Sequence, residues 1–230
     1  MTRATRTPVL AALMIFGAGA LARPMAAQAP DPNAILDRAV ATYGHVQTIR
    51  ADFTQLVEDP MLADTQTSRG ELFEQRPGKF ALRWSDPRGD LIVADGQYLW
   101  VYLPSSAPHQ VARSALGVPG SQGADIIAEF LDHPHDRFAV AYDRADAVDG
   151  RPADVLVLTP HDHNAQYRHV RIWVDRADAL VRRIEMTDGA GTVRRFTLDH
   201  LRTNAAIPAS VFSFTPPPGT RVVDATESNE

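Results

Sequence analysis

From Ile49 to Trp84, and again from Leu91 to Leu103, the chain repeats one pattern: short runs rich in β-branched and aromatic residues, cut by Pro, Gly and Asp. Ile49-Arg50-Ala51-Asp52-Phe53-Thr54-Gln55-Leu56-Val57, Gly70-Glu71-Leu72-Phe73-Glu74 and Phe80-Ala81-Leu82-Arg83-Trp84 alternate in the manner of antiparallel strands. Leu91-Ile92-Val93-Ala94 and Tyr98-Leu99-Trp100-Val101-Tyr102-Leu103 flank Asp95-Gly96, a pair suited to the positive φ angles of a tight hairpin turn. Further strands are expected at about 137–143, 153–159, 167–175, 179–187, 192–202 and 210–214. Helical spacing occurs in two places. Asp31 caps a helix over roughly 32–45, with Pro32 at its first position and Ile35, Leu36, Ala39, Val40 and Tyr43 on one face. The second is Ala124–Leu131. Because no helix alternates with the strands, a parallel α/β sheet is disfavoured, and the fold class is mainly β (α+β): one antiparallel sheet or open barrel with a few helices.

Leu91–Ala94 and Tyr98–Leu103 are apolar on both faces, whereas a half-exposed strand alternates apolar and polar. Both faces must therefore be covered or wrapped around something. Phe80, Leu82, Trp84, Tyr98, Trp100 and Tyr102 either line a cavity or form a packed core; aromatic-rich strands are usually core.

The N-terminus reads as a targeting segment. Arg3 and Arg6 precede the apolar run Val9–Phe16, which is too short to span a bilayer, and the small residues near Ala26 and Ala27 suit a signal peptidase. Residues 1–27 are expected to be a secretory signal peptide and 28–230 one mature domain exported from the cytoplasm. The net charge is −5, and loss of Arg3, Arg6 and Arg23 makes the mature chain more acidic still. Lys79 is the only lysine and no basic tract offers itself to a phosphate backbone, so nucleic acid is excluded as an expected partner. The chain has no cysteine, which removes disulfides, thiolate chemistry and lipidation through a thioether. No nucleophile elbow, phosphate-binding loop or His-Glu-x-x-His motif appears, so neither catalytic residues nor a cofactor are expected. His133 and His135, and His161 and His163, form two His-x-His pairs with His169 besides; they read as solvated loops or, less favourably, as a metal site serving an enzyme.

Several segments, in order, resemble the periplasmic outer-membrane lipoprotein carrier family, LolA. They are Phe53-Thr54-Gln55, the Gly70 strand, Arg76-Pro77-Gly78-Lys79-Phe80, Arg83-Trp84, Val93-Ala94-Asp95-Gly96 and Leu99-Trp100-Val101-Tyr102. The C-terminal half adds Arg183-Ile184-Glu185, Phe196, Asn204 and Phe212-Ser213-Phe214-Thr215-Pro216-Pro217-Pro218-Gly219. The resemblance implies an unclosed antiparallel β-barrel of about ten or eleven strands with a lid of a few helices. It implies a carrier that holds the acyl chains of lipoproteins in a hydrophobic cavity, monomeric, taking cargo from an inner-membrane ABC transporter and giving it to an outer-membrane acceptor. Phe53, Phe80, Leu82, Trp84, Tyr98, Trp100 and Tyr102 become candidate ligand-binding residues, and Arg76 resembles the family's lid-contacting arginine. The Pro-, Asp- and His-rich segments 104–123 and 132–136 depart from the family pattern. Related open barrels serve as lipid-sensing stress regulators, a second reading of the same fold. A membrane-anchored acceptor would need the cysteine that this chain lacks.

Overall fold

The computed structural model describes residues 30–116 and 126–224. The expected signal peptide at 1–27, the N-terminal half of the segment 117–131 up to Asp125, and the last six residues lie outside the described residues. Among the described residues no helix is long and apolar enough to cross a membrane.

The chain opens with helix α1 (Pro32–Gly44), followed by β1 (Thr48–Asp59), β2 (Asp64–Gln75), β3 (Lys79–Asp86), β4 (Leu91–Asp95), β5 (Tyr98–Tyr102) and β6 (Gln110–Ala115). Two short helices, α2 (Ala128–Leu131) and α3 (Pro134–Arg137), lead into β7 (Phe138–Val148), β8 (Arg151–Pro160), β9 (Tyr167–Asp175), β10 (Val181–Asp188) and β11 (Val193–Thr203). A 3-10 turn at Ala209–Phe212 precedes β12 (Arg221–Asp224). All twelve strands form one sheet in the order β12-β6-β5-β4-β3-β2-β1-β11-β10-β9-β8-β7. Neighbours are antiparallel except β12, which runs parallel to β6. The outermost strands, β12 and β7, do not pair, so the sheet is open.

The expected open antiparallel sheet with few helices is what forms, with two strands that the sequence reading did not pick out and one expected strand that does not form. β6 lies inside the Pro- and His-rich segment 104–123, and β12 follows the proline run 216–218. The strand expected at 210–214 is instead the 3-10 turn and an extended piece. Pro208 and Pro216–Pro218 cannot donate to a ladder, and Phe212 is buried against Phe73, Ala81 and Val93 rather than paired with a strand.

Register assigns the faces. Phe80 pairs with Ala94 and Ala94 with Leu99; Leu82 pairs with Ile92 and Ile92 with Val101. These residues point to the concave side, where they join the main core with Ile35, Leu36, Ala39 and Tyr43 of α1 and Ile126, Ile127, Phe130 and Leu131 around α2. Tyr98, Trp100 and Tyr102 occupy the alternate positions and point to the convex side. Here the expectation that all six aromatic and apolar candidates share one cavity is corrected: the sheet separates them. The cover on the convex side is the chain's own C-terminal segment. Phe214 lies 5.8 Å from the Trp100 ring and 5.7 Å from Tyr102. Arg83 donates to the Val211 carbonyl at 2.6 Å. Arg113 stacks over Tyr98 and Trp100 while pairing with both carboxylate oxygens of Asp224 in β12. At the Asp95-Gly96 turn, burial works against ionisation of Asp95. Hydrogen bonds from Tyr98 N, Trp100 Nε1 and Gln97 N outweigh it and hold the carboxyl below its usual range.

Gly70 is where the resemblance and the packing meet. The β2–β3 register shifts between Arg69 and Gly70, and Phe53 fills the space that a side chain there would need. A Cβ at Gly70 would come within 2.8 Å of the Phe53 ring and collide with the Arg83 carbonyl. Gly70→Ala is therefore expected to destabilise the fold by roughly 1–3 kcal/mol, the range for overpacked cores, as read from the urea midpoint.

On the convex side the β7–β8 turn brings Asp149, at φ +48°, to Asp199 of β11. Burial, then the hydrogen bond to Asp149 and its charge, pushes the Asp199 carboxyl up from 3.8 to about 6. A raised folded pKa stabilises the protein fully below the unfolded value and is lost as pH rises through the folded one. From about pH 4 to about pH 7 the wild-type melting temperature should fall relative to that of Asp199→Asn. Parallel pH profiles of the two proteins would show the Asp149–Asp199 contact to be inert.

Candidate ligand cavity

The open sheet leaves a cavity of about 860 Å³ on its concave side. The sheet side of its wall is Leu82, Trp84, Ile92, Met186 and Phe196; the helical side is Ile126 and Phe130, with Phe138 at the start of β7. Its polar positions are Gln55, Arg194, Asp136, Arg137 and the 160–167 segment between β8 and β9. Apart from Leu82 in mid-β3, the strand residues here lie toward one end of the sheet: Trp84 near the end of β3, Pro160 at the end of β8, Tyr167 at the start of β9, Arg194 at the start of β11. The mouth therefore opens at the end of the sheet that carries the β1–β2 turn. The other end, where Thr48 pairs with Gln75, lies beneath the C-terminus of α1.

Of the sequence candidates, Leu82 and Trp84 line the cavity. Phe53 stands one layer behind, edge-on to Trp84 at 5.4 Å and 5.9 Å from Phe196. Phe80, on the same strand face as Leu82, is 3% exposed in the main core and is not one of the cavity's lining residues, so it is not at the rim. Tyr98, Trp100 and Tyr102 are on the far face of the sheet. The sequence reading missed Phe130, Phe138, Phe196, Met186 and Tyr167. Phe196 alternates with Leu198 in a recognisable strand, which is signal enough for its face. Phe130 and Phe138 meet only because a short helical turn reverses the chain between them, at 6.1 Å, with Tyr167 5.5 Å from Phe130.

One charged group is built into this wall. Glu129 accepts from Arg137 Nη2 at 2.5 Å and from the Tyr167 hydroxyl at 3.0 Å, and Arg137 Nη1 also donates to the Glu129 carbonyl. Burial first, and the Glu129 carboxylate second, push the Tyr167 phenol far above its ordinary range, so it remains a neutral donor. The cluster ties α2 to α3 and β9 with its hydrogen bonds satisfied. An unpaired carboxylate in such a wall would oppose an apolar ligand.

Arg76 lies in the β2–β3 turn. Its Nη1 donates to the Tyr43 carbonyl in the last turn of α1 at 2.6 Å, and its Nε to Glu74 at 2.8 Å. A cation at a helix C-terminus is favourable because the last carbonyls lack intrahelical partners. The Tyr43 hydroxyl, in turn, accepts from Val181 N of β10. Arg76 thus holds α1 at the end where the helix enters β1, remote from the mouth. At the mouth side, His135 of α3 lies 2.7 Å from Asp37 of α1.

The histidine pairs are dispersed. His133 bonds its neighbour Asp132, His135 bonds Asp37, His161 Nδ1 is 3.3 Å from the Asp136 carbonyl, and His169 faces Arg171. Among the described residues no group of three or more His, Cys, Asp or Glu side chains is arranged to hold a metal ion.

The two faces make opposite predictions. Trp84→Asp should abolish binding of an apolar-sensitive dye by placing a carboxylate in the cavity wall. Trp100→Ala should lower the melting temperature, the usual loss for a large aromatic being about 3–5 kcal/mol when fully buried, while the dye still binds. Equal loss of binding in both would return Trp100 to the cavity.

Residues 44–215 match the family model described as outer membrane lipoprotein carrier protein LolA. An outer-membrane lipoprotein carrier protein of Chromobacterium violaceum is 32% identical over 180 residues, covering 77% of this chain and 81% of that protein. One from Albidiferax ferrireducens is 32% identical over 184 residues, covering 77% and 85%. A solved structure of an uncharacterised conserved protein from Thermus thermophilus superposes with a TM-score of 0.54 at 13% identity, covering 84% of this chain and 98% of that one, a likeness of fold alone. With an open sheet, a concave cavity and a family match over most of its length, the chain belongs to the outer-membrane lipoprotein carrier family, LolA.

Proposed function

We propose that this protein binds the acyl chains of lipoproteins in the concave cavity and carries them through the periplasm, from an inner-membrane ABC transporter to an outer-membrane acceptor. The observation that carries the reading is the apolar wall of the 860 Å³ cavity, a volume inside the usual range for bound small ligands of roughly 300–1,000 Å³. Each methylene taken from water gains about 0.8 kcal/mol, so a chain of roughly fourteen methylenes resists leaving a membrane by on the order of 11 kcal/mol. Crossing an aqueous space requires shielding on that scale. The ATP-driven work belongs to the transporter.

Release requires the opposite tendency. Empty apolar walls exposed to water favour closure, and the helical cover that closes over them is the α2 region, through Ile126 and Phe130, backed by α1, which packs on the same concave core through Ile35, Leu36 and Ala39. Arg76 favours that closed arrangement through its bond to the α1 C-terminus. The Arg76 guanidinium bonds Glu74 and Tyr43 at once, a planar fork that lysine cannot reproduce.

A fluorescent fatty acid should bind the mature protein and be displaced by a triacylated lipopeptide; failure of both ligands would make the cavity an unused void. Arg76→Leu should keep uptake while slowing transfer of a labelled lipoprotein to acceptor-bearing vesicles, since closure loses about 1.5–3 kcal/mol of charged-donor bonding. Arg76→Lys should fall between. Delivery by Arg76→Leu at the wild-type rate would reduce Arg76 to a turn residue.

A further inference from the structure

Met61 and Leu62, at the tip of the β1–β2 hairpin, are 81% and 74% exposed, and among the described residues the next exposed large hydrophobic is Val222 at 39%. The tip is shaped without them. Asp59 accepts from Met61 N at 2.8 Å and from Leu62 N at 3.2 Å, Ala63 turns the chain at φ +49°, and Asp64 accepts from Thr65 N and Gln66 Nε2. Both side chains are therefore presented by hydrogen bonds among their neighbours rather than held by packing.

The tip also projects. The last β2–β3 pair is Arg69 with Asp86, so Asp64–Ser68 have no partner on that side, and the β1–β11 ladder ends at Glu58 with Val193. From Gln55 in the cavity lining to Asp59 the strand advances roughly 14 Å, at about 3.4 Å per residue. Arg194, on the cavity rim, pairs in register with Val57. The apolar tip thus stands beyond the mouth, on the same end of the sheet.

We propose that Met61 and Leu62 insert into the headgroup–acyl boundary of a bilayer, setting the cavity mouth against the membrane surface. The surface is a zwitterionic one. Glu58, Asp59 and Asp64 flank the tip and no Lys or Arg occurs from 51 to 68; Arg194, opposite Val57 on the neighbouring strand, is one cation against those three carboxylates, so anionic lipid repels the tip and attachment is brief, as befits two apolar side chains without a basic patch. The consequence for cargo rests on the carrier reading: an acyl chain leaving the mouth enters lipid beside the tip instead of crossing water.

Purified mature protein, unloaded, is floated with phosphatidylcholine vesicles at low protein-to-lipid ratio. The wild type should co-float, and the double variant Met61→Asp, Leu62→Asp should lose roughly fivefold or more of that binding, as should wild type on vesicles containing phosphatidylglycerol. Far-UV circular dichroism checks that the exposed substitutions leave the fold intact. In a second arm, a fluorescent triacylated lipopeptide loaded into both proteins is chased into phosphatidylcholine vesicles; equal loading with slower transfer from the variant is expected. No co-flotation by wild type, equal co-flotation by the variant, or stronger binding to anionic vesicles would each overturn the proposal. So would a variant that floats like wild type yet fails to pass cargo to an acceptor protein, which would make the tip a protein contact. Failure of the lipopeptide to load would count against the cavity reading, and the flotation arm would still decide the tip.

Discussion

A sheet whose central strands are apolar on both faces must be covered twice, and that requirement organises this molecule. β3, β4 and β5 present Phe80, Leu82, Ile92 and Leu99 to one side and Ala81, Val93 and Trp100 to the other. Helices α1 and α2 cover the concave side. The convex side is covered by residues 207–214, whose apolar side chains pack on Phe73, Ala81 and Val93, and by Phe214 against Trp100 and Tyr102. The division has a functional consequence. A cover that carries cargo must move, whereas the convex cover is fastened by Arg83 to the Val211 carbonyl and by Arg113 to Asp224, both charged-donor bonds. Those bonds give the β3–β5 region a fixed back against which the concave side can open.

Much of the fold was readable because strands and turns declare themselves locally. Asp95-Gly96, the alternation in 49–57 and the capped helix at Asp31 each carry their own physical cause within a few residues. β6 was hidden because Pro104, Pro108 and His109 just before it make the segment resemble a loop, and β12 because four residues in a parallel edge pair leave no pattern. The residues 210–214 misled for the converse reason. Val211, Phe212 and Phe214 have strand-like composition, but their burial comes from lying across a sheet rather than within one.

The candidate site was legible in kind and only partly in detail. That an apolar cavity needs apolar wall residues follows from sequence, and Leu82 and Trp84 are in that wall. Alternation alone distinguishes the two faces of β5 without saying which is concave, so Tyr98, Trp100 and Tyr102 were assigned to the wrong side. The register with β4 decides it: Val93 opposite Trp100, Ala94 opposite Leu99. Phe130 and Phe138 escaped notice because their meeting depends on α3, a single turn begun by His133 in the left-handed region at φ +46°.

The position of Arg76 changes what a latch means here. A clasp at the mouth would lie in the path of entering cargo. Arg76 instead grips α1 at its C-terminal end, where the helix runs directly into β1 through Val46 and Gln47, and Arg76 N itself bonds the Gln47 carbonyl. Under the carrier reading α1 opens by tilting at this end, and a tilt that draws the Tyr43 carbonyl off Arg76 gives up the charged-donor bond made in the closed arrangement. On the mouth side the fastenings are weaker: an exposed His135–Asp37 contact and apolar packing of α1 on α2. In the carrier reading, acyl chains that fill the cavity beneath Ile126 and Phe130 compete with that packing, apolar surface for apolar surface. On that reading the balance between empty-closed and loaded-open is weighted by the charged bonds of Arg76, which cargo does not replace, and one helix can both admit a ligand worth many methylenes and still favour its departure.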